Sequence, residues 1–145
     1  MNTSLSAPIC RRLEKAARTA ATRAYAPYSH FPVGAAILSG SGKIYAGCNI
    51  ENSSYGLCNC AERTALFTAI AAGERKLKAV ALYTPTNRPN TPCGACRQAL
   101  SEFGPNAFVI AVCDSSERIA TTLDALLPSA FALNNSAPNS PRKRT

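Results

Sequence analysis

Apolar and polar positions follow two different periods along this chain, and the period changes near residue 33. Over residues 4–24, small and apolar side chains recur every three or four positions, as in an amphipathic helix: Ile9, Leu13, Ala16, Ala17, Ala20 and Ala24. Between residues 33 and 49, two β-rich runs flank the turn-forming sequence Ser-Gly-Ser-Gly. The pattern predicts a helix over residues 4–24 followed by a β-hairpin.

The rest of the chain alternates between helical and strand patterns. Two helices are predicted to begin at cysteines and to end before glycines: Cys60 to Ala72 and Cys93 to Phe103. Strands are predicted over residues 77–84, 107–114 and 117–122, and a short helical piece over residues 123–131. A hairpin followed by alternating helices and strands indicates an α/β fold. We expect three αβα layers around a central mixed five-stranded sheet.

Length and hydropathy indicate one domain that does not enter a membrane. The chain has 145 residues, enough for a single core. Its longest nearly apolar stretch, Leu66 to Ala72, is far shorter than the roughly 20 residues of a membrane span. The N-terminus lacks a long apolar segment behind a basic start, so no secretory signal is predicted. We expect a domain over residues 1–133 and a cytoplasmic location.

The formal net charge of +8 raises the question of a nucleic acid partner. Much of the positive charge lies near the two ends of the chain, at Arg11, Arg12, Lys15, Arg18, Arg23, Arg142, Lys143 and Arg144. Neither group is interleaved with aromatic residues of the kind that stack on bases. The pattern favours a solvated helix face and a disordered basic tail over residues 134–145, rather than a nucleic acid surface.

Seven cysteines without a predicted export signal indicate metal binding or thiol chemistry rather than disulfides. Cys93 and Cys96 are three residues apart at a predicted helix start, so both sulfurs lie on one helix face. Taken alone, this Cys-x-x-Cys pair is compatible with half of a zinc site, a redox dithiol or chance.

Topology predicts that a third sulfur joins this pair. The helix after Cys60 spans roughly 20 Å, and the strand over residues 77–84 returns along roughly 26 Å. The start of the third predicted helix is thereby brought beside the start of the second. Cys60, Cys93 and Cys96 are expected to converge there, at two helix N-termini whose partial positive charge favours thiolates.

Three sulfur ligands and an open fourth position are typical of catalytic zinc, whereas structural zinc usually has four protein ligands. Cys58 and Cys48 are the two cysteines that could close such a structural site. The single histidine, His30, falls on a distant predicted loop, and such a residue is more often surface-exposed or packed than a ligand.

The two residues that follow Cys60 by two and three positions favour the catalytic interpretation. Glu62, in the first helical turn, can stand beside the open position and move protons without becoming a ligand. Its alternative role is a first-turn acid that the helix dipole favours. Arg63 can donate to the sulfurs and offset the negative charge of three thiolates; its alternative role is a solvated helix residue.

The strings "CAER" and "PCGACRQ" together resemble the C-x-E…P-C-x-x-C signature of the zinc nucleoside and nucleobase deaminases. Further strings, "YAPYSHFPVGAAIL", "GCNIENSSYG" and "LLPSAF", make the chain similar to the small, homotetrameric cytidine deaminases over most of residues 20–133. The resemblance implies one Zn²⁺ per subunit held by Cys60, Cys93 and Cys96, with Glu62 as the proton shuttle.

The same resemblance implies how a nucleoside would be held. Asn49 and Glu51 would bind the ribose hydroxyls, Phe31 would line the pyrimidine pocket, and the backbone amide of Ala61 would meet the base. An amide and a carboxylate can pair with a vicinal diol by donating and accepting hydrogen bonds.

Two aromatic residues are implied to act between subunits of a homotetramer. Tyr55 and Phe131 would reach into the pockets of neighbouring subunits. The implied activity is hydrolytic deamination of cytidine and deoxycytidine to uridine and deoxyuridine, as in pyrimidine salvage. The alternatives are a deaminase of a modified or antibiotic cytosine nucleoside, a nucleic-acid-editing cytosine deaminase, and a non-catalytic zinc module.

Overall fold

The computed structural model of the protein describes residues 5–133. The elements follow the predicted order: α1 (Ala7–Ala21), β1 (Gly34–Ser39), β2 (Ile44–Cys48), α2 (Ala61–Ala71), β3 (Leu77–Tyr83), α3 (Gly94–Ser101), β4 (Phe108–Val112), β5 (Arg118–Thr122) and α4 (Leu123–Leu126). A short 3₁₀ turn, Tyr55–Leu57, precedes α2. The predicted tail over residues 134–145 lies outside the described residues.

The five strands form one mixed sheet in the order β2-β1-β3-β4-β5. Only the central β3–β4 pair is parallel, and the other three pairs are antiparallel. The parallel pair requires a crossover, which α3 supplies. The prediction of a mixed five-stranded sheet between helical layers is confirmed.

Side chains of the central strands point alternately to the two faces of the sheet, and each face has its own hydrophobic core. On one face, α1 packs over a core that includes Leu13, Ala17, Ala36, Ala81 and Ile110. On the other face, α2 and α3 pack over a core that includes Ile37, Leu66, Val80, Leu100 and Val109. The candidate zinc ligands belong to the second layer, so the metal centre and α1 lie on opposite sides of the sheet.

Two glycines of the hairpin allow the helices to approach the sheet closely. A Cβ added at Gly34 would lie 1.9 Å from the carbonyl oxygen of Ala17 in α1. A Cβ added at Gly47 would lie 2.3 Å from the backbone nitrogen of Ala65 in α2. Each distance is far below van der Waals contact, so both helix positions depend on the missing side chains.

The first helix is shorter than the pattern predicted. It begins at Ala7, with a proline in its first turn, and ends at Ala21, so Arg23 lies beyond it. Arg18 is not simply solvated: its guanidinium lies 4.5 Å from the centre of the Tyr83 ring and donates to the Cys113 carbonyl at 2.6 Å. Arg18 remains exposed, as predicted, and in addition contacts Tyr83 and the Cys113 carbonyl.

Within residues 5–133, no helix has both the length and the apolar character needed to cross a membrane.

Candidate metal centre and substrate cavity

Three cysteine sulfurs meet where α2 and α3 begin. The Sγ atoms of Cys60, Cys93 and Cys96 lie within 4.8 Å of one another, and those of Cys60 and Cys93 are 3.9 Å apart. In a tetrahedral site with Zn–S bonds of about 2.3 Å, neighbouring sulfurs lie about 3.8 Å apart. The spacing and the thiol chemistry of this group therefore fit zinc.

Backbone geometry at the two helix starts directs these sulfurs. Cys60 and Cys93 are the N-cap residues of α2 and α3, and both have extended backbone conformations. Cys96 lies in the first turn of α3 and is fully buried. Because the first N–H groups of a helix lack intrahelical acceptors, both helix ends contribute partial positive charge beside the sulfurs.

The surroundings of the Cys60 thiol lower its pKa. A hydrogen bond from Cys96 holds the pKa of Cys60 below its ordinary value, and the Arg63 guanidinium adds to this effect. An Arg63 Nη atom lies 3.5 Å from the Cys60 sulfur. The surroundings of Cys60 thus stabilise a thiolate, the form that binds zinc.

Glu62 is a buried carboxylate in the first turn of α2, with only 4% of its surface exposed. Burial raises the pKa of its carboxyl to about 7. A group whose pKa lies near neutrality can both accept and release protons under physiological conditions.

A cavity of about 470 Å³ opens beside this carboxylate. Seven of the site residues predicted from the sequence line it: Phe31, Asn49, Glu51, Cys60, Ala61, Glu62 and Cys93. The other four, Cys96, Arg63, Tyr55 and Phe131, do not. A volume in this range is typical of small-molecule sites. The structure therefore brings two of the three clustered cysteines, the buried carboxylate and most of the predicted substrate contacts to one cavity.

The loop between β3 and α3 forms a wall of the cavity that the sequence did not indicate. Thr84, Asn90 and Thr91 line it. The Asn90 side-chain amide donates to the hydroxyls of Thr84 at 3.1 Å and Thr86 at 3.2 Å, which holds the loop in a compact shape. Such side chains carried no distinguishing sequence signal, because Thr, Asn and Pro are ordinary loop residues.

Asn49 and Glu51 both make hydrogen bonds to the loop that carries Phe31. The Asn49 side chain accepts from the Val33 N–H at 2.8 Å and donates to the Phe31 carbonyl at 2.9 Å. Glu51 accepts from the backbone N–H groups of Tyr28 and Ser29 and from the Ser29 hydroxyl. These two residues therefore fix the shape of one cavity wall as well as lining it.

Tyr55 and Phe131 do not line this cavity. Tyr55 is 72% exposed and lines a smaller, adjoining recess with Tyr28, Ser29, Glu51 and Cys58. Phe131 is 73% exposed, and its carbonyl accepts a hydrogen bond from Gln98 at 2.9 Å. Within a single chain, neither aromatic ring reaches the metal centre.

The residues considered as a fourth ligand lie elsewhere. Among residues 5–133, Cys60, Cys93 and Cys96 form the one group of three or more metal-ligating side chains close enough to share an ion. The Cys58 sulfur contacts the backbone of Asn52, and the Cys48 thiol donates to the Arg23 carbonyl. His30 is exposed and does not join the cluster. The geometry gives no support to a closed four-cysteine site.

Residues 10–112 match the model of the cytidine and deoxycytidylate deaminase zinc-binding region. The chain belongs to this family. A cytidine deaminase from Sporosarcina psychrophila is 49% identical over 116 residues, which are 79% of this chain and 85% of that protein.

Solved cytidine deaminases have the same fold. One from Burkholderia pseudomallei has a TM-score of 0.80 and 50% identity, covering 83% of this chain and 98% of the other. One from Mycobacterium tuberculosis has a TM-score of 0.71 and 39% identity, covering 86% of this chain and 98% of the other. This chain aligns with nearly the full length of both solved proteins. The family is zinc-dependent.

One residue of the deaminase motif makes contacts that sequence reasoning missed. All three guanidinium nitrogens of Arg97, in "PCGACRQ", donate hydrogen bonds at the start of α3. Its position shortly after the Cys-x-x-Cys pair is visible in the sequence, but its acceptors are not, because one of them lies in α4.

Proposed function

We propose that this protein hydrolyses cytidine and deoxycytidine to uridine and deoxyuridine, with release of ammonia, as in pyrimidine salvage. The observation that carries the proposal is the placement of buried Glu62 in one cavity with Cys60 and Cys93 of the three-sulfur cluster. A non-catalytic zinc module would have no need for a buried carboxylate with a raised pKa beside its metal.

In this proposal Cys60, Cys93 and Cys96 hold one Zn²⁺ per subunit, which when bound supplies Lewis-acid activation of water. Glu62 would accept the two protons of the attacking water in turn, and would deliver one to N3 of the base and the other to the departing amine, which leaves as ammonia. Arg63 donates to the Cys60 sulfur and offsets part of the negative charge of the thiolates.

Substrate recognition is assigned to residues of the cavity wall. Phe31 offers an apolar surface to the pyrimidine, and the Ala61 N–H, in the first turn of α2, lacks an intrahelical acceptor and is available to the base. Asn49 and Glu51 are assigned to the ribose hydroxyls. A carboxylate has about four lone-pair sites, so Glu51 retains acceptor capacity beyond its three contacts with Tyr28 and Ser29.

A homotetramer would complete the site. Several large apolar side chains are exposed in the single chain, including Ile50, Tyr55, Leu57, Phe67, Phe131 and Leu133. Exposed apolar surface of this kind marks interaction sites. We assign Tyr55 and Phe131 to the pockets of neighbouring subunits, and the expected solution mass is four times that of the 15.3 kDa chain. Light scattering of the wild type and of Phe131→Ser tests this assignment.

We assign the protein to the cytoplasm because its seven cysteines form no disulfide within the described residues, as is usual in reducing compartments.

A substrate panel tests the proposed activity. The zinc-loaded protein is incubated with cytidine, deoxycytidine, an aminoacyl cytosine antibiotic and single-stranded DNA, and the loss of the cytosine absorption band is followed. Turnover of the two simple nucleosides is expected. Turnover of the antibiotic or the oligonucleotide without turnover of the simple nucleosides would replace the proposal with a modified-nucleoside or an editing deaminase.

A further inference from the structure

We propose that Arg97 is the positioning residue for the zinc ligand Cys93. The inference rests on the proposed function only in taking Cys93 as a ligand. Arg97 does not itself line the cavity, and its guanidinium bonds Thr91 of the cavity wall and the Pro92 carbonyl rather than a cluster sulfur. Its effect would therefore pass through the segment that leads into Cys93.

The contacts of Arg97 converge on the two residues that precede this ligand. Its Nε donates to the Pro92 carbonyl at 2.7 Å, and one terminal nitrogen donates to the Thr91 hydroxyl at 2.8 Å. The other terminal nitrogen donates to the Leu126 carbonyl at the end of α4, also at 2.8 Å. One half-buried guanidinium thus links the entry to the ligand with a separate helix.

Cys93 needs such an external constraint because α3 holds it weakly. It is the N-cap residue, its backbone is extended, and its side chain is largely exposed. Within the helix, the Cys93 carbonyl accepts the Arg97 N–H at 2.9 Å, which fixes the first turn but not the approach of the preceding chain. Cys96, by contrast, is fully buried within α3.

A guanidinium suits this task because its donors are fixed in one plane and can bond three acceptors at set angles. An ammonium at the same place has donors at a single atom and cannot span the three acceptors. Lysine should therefore replace Arg97 only in part, and methionine, of similar length but without donors, should not replace it.

The neighbouring residue offers a matched control. Gln98 follows Arg97 on α3, is also half-buried, and donates to the Phe131 carbonyl rather than to the segment before Cys93. Loss of its side-chain amide would disturb the C-terminal segment while leaving the ligand segment bonded. Comparing the zinc affinity of Gln98→Met with that of Arg97→Met therefore distinguishes loss of Cys93 positioning from general loosening of α3.

The test measures zinc dissociation constants by chelator competition for the full-length wild type, Arg97→Met, Arg97→Lys, Thr91→Val and Gln98→Met. We expect Arg97→Met to weaken zinc binding about 10- to 100-fold, the usual range for residues that support ligands. Arg97→Lys and Thr91→Val should weaken it less, and Gln98→Met should stay within about twofold of wild type. A wild-type dissociation constant for Arg97→Met would overturn the proposal.

A second measurement and a fallback keep the result specific. Cobalt-loaded Arg97→Met should show a weaker thiolate-to-cobalt absorption band per metal than wild type, because Cys93 is held less firmly. An unchanged band would count against positioning. If Arg97→Met does not fold, Arg97→Lys and Thr91→Val decide, and wild-type zinc affinity in both would refute the inference.

Cytidine turnover of the wild type is recorded in parallel. A wild type that binds zinc but does not deaminate cytidine would defeat the proposed function and leave the Arg97 inference standing. A wild type that deaminates cytidine, together with an Arg97→Met variant of unaltered zinc affinity, would defeat the inference alone.

Discussion

The Arg63 guanidinium donates to the Cys60 sulfur across 3.5 Å, one helical turn after the cysteine. Its Nε atom is buried and has no hydrogen-bond partner among the described residues. A buried donor without a partner is costly, so this side chain is held where it is for its contact with the sulfur cluster. This hydrogen bond places a positive charge from the first turn of α2 beside the sulfurs of the candidate metal centre.

Replacing Arg63 with glutamine should lower kcat about tenfold while zinc remains bound. The reason is that the neutral side chain leaves more negative charge on the sulfurs and weakens the Lewis acidity of the metal. Arg63→Lys, which keeps the charge, should fall between glutamine and wild type. Steady-state kinetics with zinc content measured on the same samples checks this, and an unchanged kcat for Arg63→Gln would contradict it.

Replacing Glu62 with glutamine should lower turnover about 100-fold to 10,000-fold, because the variant lacks the proposed proton shuttle. Zinc should stay bound, since Glu62 is not one of the clustered thiols. Glu102→Gln, at an exposed position after α3, is the control and should keep wild-type activity. Substantial activity in Glu62→Gln would remove this residue from the mechanism.

Glu62 should also make the stability of the zinc-free protein depend on pH. Burial raises the pKa of its carboxyl from 4.5 to about 7, so the folded state binds a proton that the unfolded state releases between these values. Its contribution is fully present below pH 4.5 and is lost as the pH rises through about 7. At about 1.4 kcal/mol per pKa unit, the loss is about 3 kcal/mol.

Denaturant unfolding of zinc-free wild type and zinc-free Glu62→Gln, at pH 5 and pH 8, isolates this contribution because the thiols are common to both. Wild type should lose more stability than the variant on going to pH 8. Equal losses in the two proteins would show that the Glu62 carboxyl titrates normally.

The two hairpin glycines allow a paired test of how the sheet positions the metal centre. Gly34→Ala and Gly47→Ala should each destabilise the fold by about 1–3 kcal/mol, because an added methyl group overlaps a helix backbone. Gly47→Ala should also weaken zinc binding, since it displaces α2, whose N-cap is Cys60. Gly34→Ala displaces α1 on the opposite face and should leave zinc affinity unchanged.

Chemical denaturation and zinc titration of both variants check this pair. Equal zinc affinities in the two variants would mean that the position of α2 over Gly47 does not control the metal centre.

Much of the fold could be predicted because its signals are local. The hydrophobic periods located the helices and strands, and the glycines after α2 and α3 indicated where these helices end. The convergence of Cys60, Cys93 and Cys96 followed from the similar lengths of one helix and one strand. The length of α1 was overestimated because Ala24 continues the apolar spacing past the actual end at Ala21.

The features that could not be predicted from the sequence depend on contacts between residues far apart in the chain. No sequence pattern indicated that Asn49 bonds the backbone on both sides of Pro32, or that Arg97 reaches α4. Nor could it show that the exposed Arg18 lies over the Tyr83 ring, since the two residues are far apart in the sequence.

The most direct test of the proposed activity is the stoichiometry of ammonia and uridine released from cytidine by the full-length protein. With zinc loaded, we predict one ammonia and one uridine per cytidine consumed, and no turnover after chelation until zinc is restored. A zinc-loaded protein that leaves cytidine and deoxycytidine unchanged would contradict the account.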